Sequence, residues 1–324
     1  MAFIDENDIL HILDKKIPPG QGETVNFNNA KLYTTNSIDV PIIVERSKKK
    51  GPIILLTAGI HGDEINGVEV VRQIISRKIN KPARGTIICV PIINIFGFLN
   101  MSREFPDGRD LNRVFPGSKN GSLASRFAWQ FVHEILPVAD FCMDFHTGGA
   151  SRFNAPQIRI KKGEEEELKY ARIFNAPFTI LSKTITRSYR ETCSKEGKPV
   201  LLFEGGKTKD SNKLIARQGV EGVMRILAHF KMLAPEFDPP QAEHQSVLIE
   251  NSSWMRAKYS GLLHPRIPVG KHVDKGEYLA TITDPYGKLR HKVKAPHEGY
   301  ILNINESPIV YQGDAIFHLS LPTN

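Results

Sequence analysis

Between residues 51 and 230 the chain alternates short runs that are apolar throughout with longer segments of helical period. The apolar runs are 52–60 (PIILLTAGI), 86–95 (TIICVPIINI), 141–145 (FCMDF) and 199–206 (PVLLFEGG). Continuous apolar character, rather than strict alternation, marks strands buried on both faces. The intervening segments 64–77, 122–136 and 214–230 place apolar residues on one helical face. Strands alternating with helices predict an α/β fold with a mixed, mainly parallel sheet flanked by helices.

The pattern changes at Pro235, Pro239 and Pro240, which end the preceding helix and stiffen the connection. Beyond them, short strand-like runs are separated by Gly, Pro and Asp, with no amphipathic helix. Two domains are therefore expected: an α/β unit over 1–234 and a small all-β barrel or sandwich over 241–324.

Composition narrows the class. The chain has 324 residues, 40% of them hydrophobic and 24% charged, which fits a globular protein. The N-terminus lacks the basic start and apolar centre of a signal peptide, and the uncharged stretch 85–102 is interrupted by Pro91, Asn94, Gly97 and Asn100, so no membrane span is expected. Cys89, Cys142 and Cys193 are odd in number and far apart, which suits a reducing cytoplasm and excludes a disulfide framework. The net charge of +8 is dispersed rather than striped, which argues against a nucleic-acid partner. The runs Lys48 to Lys50 and Glu164 to Glu167 read as a solvated turn and an exposed helix start.

Chemistry concentrates where strands end. His61 and Glu64, in GIHGDE, follow the first buried strand, and the carboxyl end of a strand is where α/β sheets bind ligands. Residues three apart share one side of a helical turn, so the pair can present an imidazole and a carboxylate to one metal. Taken alone, the pair reads more readily as a loop histidine and an ordinary first-turn acid. His146, in DFHTGG, offers a third ligand, with Asp144 on the same strand face as a partner for its ring. Glu204, in LLFEGG, brings a carboxylate to another strand end, as a structural acid or, beside a metal, as a general base. The loop 103–117 adds Arg103, Arg109, Asn112 and Arg113. Asn112 and Arg113 could grip a substrate carboxylate, and Arg103 could polarise a carbonyl.

GIHGDE, RDLNRVFPG, DFHTGG and LLFEGG, in this order over roughly 45–230, resemble the succinylglutamate desuccinylase and aspartoacylase family of the zinc carboxypeptidase superfamily. The resemblance implies one Zn2+ held by His61, Glu64 and His146, acid and base work by Glu204, carboxylate binding by Asn112 and Arg113, and carbonyl polarisation by Arg103 in preference to Arg109. The implied activity is hydrolysis of the amide bond of a small N-acyl amino acid or acylated amine. A carboxypeptidase acting on short peptides and a non-catalytic metal-binding module are the alternatives. The family's further arginine and tyrosine have no clear match among Arg159, Arg187, Arg190, Tyr259 and Tyr286. The C-terminal segment looks like the barrel-sandwich of biotinyl and lipoyl domains, but its turn reads KAPHEGYI, without an acceptor motif. A lid, a specificity wall or a contact within a homo-oligomer is the expected role.

Overall fold

A computed structural model describes residues 1–31, 37–242 and 244–322. The chain opens with three short strands, β1 (Phe3–Ile4), β2 (Leu10–Ile12) and β3 (Lys15–Ile17), paired antiparallel in a small sheet. A hairpin follows, β4 (Gly22–Lys31) and β5 (Ser37–Arg46). Arg46 ties the two parts together: its guanidinium donates to the carbonyls of Asp8 (2.8 Å) and Ile17 (2.6 Å), so this buried charge is satisfied by hydrogen bonds.

The α/β region starts with β6 (Ile53–Ala58), α1 (Ile65–Ser76), β7 (Thr86–Val90), α2 (Ile95–Asn100) and α3 (Leu123–Glu134). It continues through β8 (Phe141–Gly148), β9 (Arg152–Ile160), α4 (Glu165–Phe174), β10 (Phe178–Leu181), α5 (Tyr189–Lys195), β11 (Val200–Lys207) and α6 (Lys213–His229). The four apolar runs form β6, β7, β8 and β11, and these four are mutually parallel in the order β11-β8-β6-β7. β5 and β4 on one side and β9 on the other are antiparallel to their neighbours in the row, while β10 pairs parallel with β9 off the row, so the sheet is mixed. One apolar cluster packs Leu55, Ile88 and Cys142 with Phe127 and Phe131 of α3, and another packs Leu56, Cys89 and Met143 with Val70 of α1 and Val223 of α6. Both faces are thus covered, which is why these runs are apolar throughout.

The run 86–95 leaves the sheet at Val90. Asn94 then caps α2, its side chain accepting from the Gly97 N–H at 2.8 Å, and an apolar run too short to be told from a helix by pattern becomes strand plus helix.

Beyond residue 246 the described chain has strands joined by turns and no helix: β12 (Val247–Ile249), β13 (Ser252–Arg256), β14 (Gly261–Pro265), β15 (His272–Val273), β16 (Tyr278–Thr283), β17 (Arg290–Lys294), β18 (Gly299–Asn305), β19 (Ile309–Val310) and β20 (Ala315–Ser320). Four of them make a separate sheet, β17-β16-β14-β19, over a core of Leu263, Leu279, Ile282 and Phe317. The others extend the large sheet: β18 pairs antiparallel with β9, matching Asn303 to Asn154, and β20 and β13 follow it outward. No helix among the described residues is long and apolar enough to cross a membrane.

His318 of β20 is buried, its ring stacked on Trp254 with centroids 4.5 Å apart. Burial, with Arg159 nearby, pushes its pKa down to about 4 from the usual 6.5. The unfolded chain therefore binds a proton that the native chain refuses between those two values, and stability falls as pH drops from about 6.5 towards 4. His318→Phe is expected to flatten the pH dependence of urea unfolding in this window, removing a loss on the order of 3 kcal/mol.

Candidate metal centre

His61 and Glu64 lie in the turn between β6 and α1, where Gly59 takes the left-handed conformation (φ 62°) that a side chain resists. Gly62 is packed so closely on α2 that a Cβ there would collide with the backbone of Gly97 and Phe98. The turn holding the first two candidate ligands is thereby fixed against a neighbouring helix. His146 comes from β8, adjacent to β6.

The three side chains meet. His61 Nδ1 lies 2.7 Å from Glu64 Oε1, and His146 Nδ1 lies 2.9 Å from Glu64 Oε2. The Thr147 N–H also donates to Glu64 Oε2, at 3.1 Å. The outer nitrogens have carboxylates too: His61 Nε2 is 3.0 Å from Asp110 and His146 Nε2 is 2.7 Å from Asp144. Thr57 Oγ1 donates to the other Asp144 oxygen at 2.7 Å.

All of this is buried, with His61, Glu64 and His146 no more than 4% exposed. Burial works against charge on each group, but the mutual pairing wins. Glu64 and Asp110 raise the pKa of His61, Asp144 and Glu64 hold that of His146 well above the ordinary imidazole value, and the two rings hold Glu64 far below the carboxylate range.

This donor set fits a divalent metal. One atom each from His61, Glu64 and His146 can be chosen so that all three lie within 4.8 Å of one another, and imidazole with carboxylate suits a cation of intermediate softness. A cation bound by these three residues would take the place of the protons they share. With Asp110 and Asp144 accepting from the Nε2 sides of the rings, Nδ1 of each would be the nitrogen available to it.

Glu204 stands next to this cluster, paired in register with His146 across β11 and β8. Its Oε2 accepts from Asn154 Nδ2 (3.0 Å), Gln157 Nε2 (3.1 Å) and Arg159 Nε (2.8 Å), all from β9. Residues 154 and 157 would point to opposite faces of a regular strand. The register slips between the pairs Glu204↔Gln157 and Gly206↔Asn154, so three steps on β9 match two on β11, and both amides reach one carboxylate. Pro156, without an N–H, falls within that irregular stretch.

Arg103 donates to Asp110 Oδ2 through Nε (3.0 Å) and Nη2 (2.7 Å), and its Nη1 comes within 3.6 Å of Glu64. Asn112 is buried, its Oδ1 accepting from the Tyr189 N–H at 2.8 Å. Arg113 is partly exposed, with Nη1 3.9 Å from Asp110. Asp110, which the sequence reading passed over, therefore connects Arg103, Arg113 and His61. It also accepts from the Asn112 N–H at 2.9 Å, so the acid-x-Asn spacing of a local side-chain turn was the available signal. Arg109 bonds Asp107 instead. Among the unmatched candidates, Arg159 reaches Glu204, Arg190 is buried against Ser182 and Lys183, and Tyr259 and Tyr286 are exposed.

Residues 50–230 match the succinylglutamate desuccinylase/aspartoacylase catalytic domain. The N-alpha-acetyl-L-2,4-diaminobutyric acid deacetylase of Halomonas elongata is 26% identical over 295 residues, covering 86% of this chain and 85% of that protein. The product-bound ectoine utilization protein EutE of Ruegeria pomeroyi superposes with a TM-score of 0.81 at 23% identity, covering 98% and 100% of the two chains. A succinylglutamate desuccinylase/aspartoacylase structure from Rhodobacter sphaeroides gives 0.79 at 24% identity, covering 94% and 95%. With four ordered motifs brought together at the carboxyl ends of β6, β8 and β11 and more than half of the chain matched, this protein belongs to the succinylglutamate desuccinylase/aspartoacylase family.

Proposed function

We propose that the protein is a zinc-dependent deacylase that hydrolyses the amide bond of a small N-acyl amino acid. The observation that carries this reading is the placement of Glu204, in register with His146, beside three buried ligand atoms within 4.8 Å of one another. The likeness to the Halomonas elongata deacetylase supports an acylated amino acid as the substrate class. The three cysteines are buried and unpaired, in keeping with a reducing cytoplasm.

His61, Glu64 and His146 would hold zinc. When bound, it supplies an electrophile for the carbonyl and brings the pKa of a water towards about 7. Glu204 takes the proton of the attacking water and returns it to the departing amine nitrogen. Its three hydrogen-bond donors aim one carboxylate oxygen and leave Oε1 free of them. Arg103 offsets negative charge that develops on the carbonyl oxygen, released towards it from Asp110 or shared with it. Asn112 and Arg113 bind the carboxylate of the substrate, Arg113 through the exposed part of its guanidinium.

The test is free-amine release from N-acetyl-L-2,4-diaminobutyrate, N-acetylaspartate, N-succinylglutamate and a set of dipeptides. Release from an acylated amino acid but not from dipeptides supports a deacylase; cleavage confined to dipeptides would replace it with a peptidase. Asp144→Asn is expected to weaken zinc binding about 10–100-fold, because His146 loses the carboxylate that orients its ring. Competition with a chelator of known affinity checks it, and unchanged affinity would remove Asp144 from the metal centre.

A further inference from the structure

Glu204 is reached from the C-terminal strands through a line of side-chain amides. Glu204 Oε2 accepts from Asn154 Nδ2 at 3.0 Å, and Asn154 Oδ1 accepts from Asn303 Nδ2 at 2.6 Å. Asn154 and Asn303 are paired residues of β9 and β18, 4% and 2% exposed. The direction of each amide is dictated by chemistry. An ionised carboxylate only accepts, so Asn154 must turn its NH2 to Glu204 and its oxygen away, and that oxygen then requires a donor. Asn303 is the donor.

The line is also sealed. Asn303 pairs with His318 on β20, and His318 pairs with and stacks on Trp254 of β13, so the outer strands continue the same row. Water does not compete for the Asn303 to Asn154 bond in such a place, and a buried amide that loses its partner is costly.

We infer that Asn303 is a positioning residue for the deacylation, acting through Asn154 to hold the Glu204 carboxylate in place. This assigns the C-terminal strands a part in the reaction: they fix the orientation of the amide that aims the base. The inference rests on the reading of Glu204 as the base. Without Asn303, Asn154 is free to rotate, and the alternative rotamer turns its carbonyl oxygen against the Glu204 carboxylate, removing a donor and adding a repulsion.

The experiment is a double-mutant cycle on the full-length, zinc-loaded protein, using Asn303→Leu, Asn154→Leu and both together, with kcat, KM and zinc content measured on an acylated amino acid that the wild type hydrolyses. Asn303→Leu is expected to lower kcat about tenfold with KM and zinc content unchanged, and the double variant is expected to be no slower than Asn154→Leu alone. Losses that multiply would show that Asn303 does not act through Asn154, and kcat within twofold of wild type would overturn the inference. Asn303→Asp keeps the volume but cannot donate when ionised; it serves if the Leu variant fails to fold, and it is expected to lose kcat equally.

A readout without substrate uses protein labelled with 15N-asparagine: in Asn303→Leu the Asn154 side-chain amide is expected to change its chemical shift and exchange faster with solvent, because its oxygen has lost the Asn303 donor. An Asn154 side-chain amide unchanged in both respects would overturn the inference by itself. If Glu204→Gln retains turnover, the reading of Glu204 fails; if Glu204→Gln is inactive and Asn303→Leu is normal, only the relay fails.

Discussion

Glu204→Gln is expected to lower kcat by about 10²–10⁴-fold while zinc stays bound. The glutamine is nearly isosteric, so the strand pairing that sets position 204 beside His146 has no reason to change. What changes is that the side chain no longer takes a proton at ordinary pH. Part of its hydrogen bonding also changes. A glutamine oxygen can still accept from Asn154, Gln157 and Arg159, but the charge that balanced Arg159 is gone. Zinc content should be unaffected, since Glu204 is not among the three clustered candidate ligands. Turnover within tenfold of wild type would remove Glu204 as the base.

The second large effect is on the metal itself. His146→Ala is expected to take zinc content from about one per chain to none, and turnover with it, because two protein ligands without the third do not make a closed or catalytic zinc site. The variant should also unfold more easily in the metal-free state. His146 separates two buried carboxylates, Glu64 at 2.9 Å and Asp144 at 2.7 Å, and its removal leaves both without that partner. Breaking a buried pair in this way costs about 3–5 kcal/mol. Elemental analysis and urea unfolding of chelator-treated protein check the two halves separately. Zinc retained by His146→Ala would show that the metal is bound elsewhere.

Much of the candidate centre is legible in the sequence because its residues sit in compact motifs at the ends of apolar runs. His61 and Glu64 follow a strand that the pattern of apolar positions marks, His146 and Glu204 lie near the carboxyl ends of two others, and a glycine stands within two residues of each. A buried sheet can tolerate such polar groups only where they have partners or work to do. Asp144 was also readable, since its spacing from His146 puts both on one strand face, and the two are in contact.

What the sequence did not disclose depends on pairing between distant segments. Asn154 and Gln157 look like ordinary polar residues in a strand, and only the irregular register of β9 against β11 directs both to Glu204. Asn303 is 149 residues from Asn154, and no local rule joins them. The same reason hides the way β18 extends the large sheet. Short strands with turn residues between them reveal an all-β segment, but not which strand will find an open edge in another part of the chain. The N-terminal hairpin β4–β5 was missed for a simpler reason: its polar and apolar positions lie beside a solvated Lys48 to Lys50 turn, outside the buried runs that organised the reading.

The most direct measurement is free-amine release from acylated amino acids by one protein sample in three states: as purified with zinc, after chelation, and after zinc is restored. Release that stops on chelation and returns as zinc reaches about one per chain is the expected result. Release that continues after the metal is removed, or its absence from every acylated amino acid offered to the zinc-loaded protein, would contradict a deacylase built on His61, Glu64, His146 and Glu204.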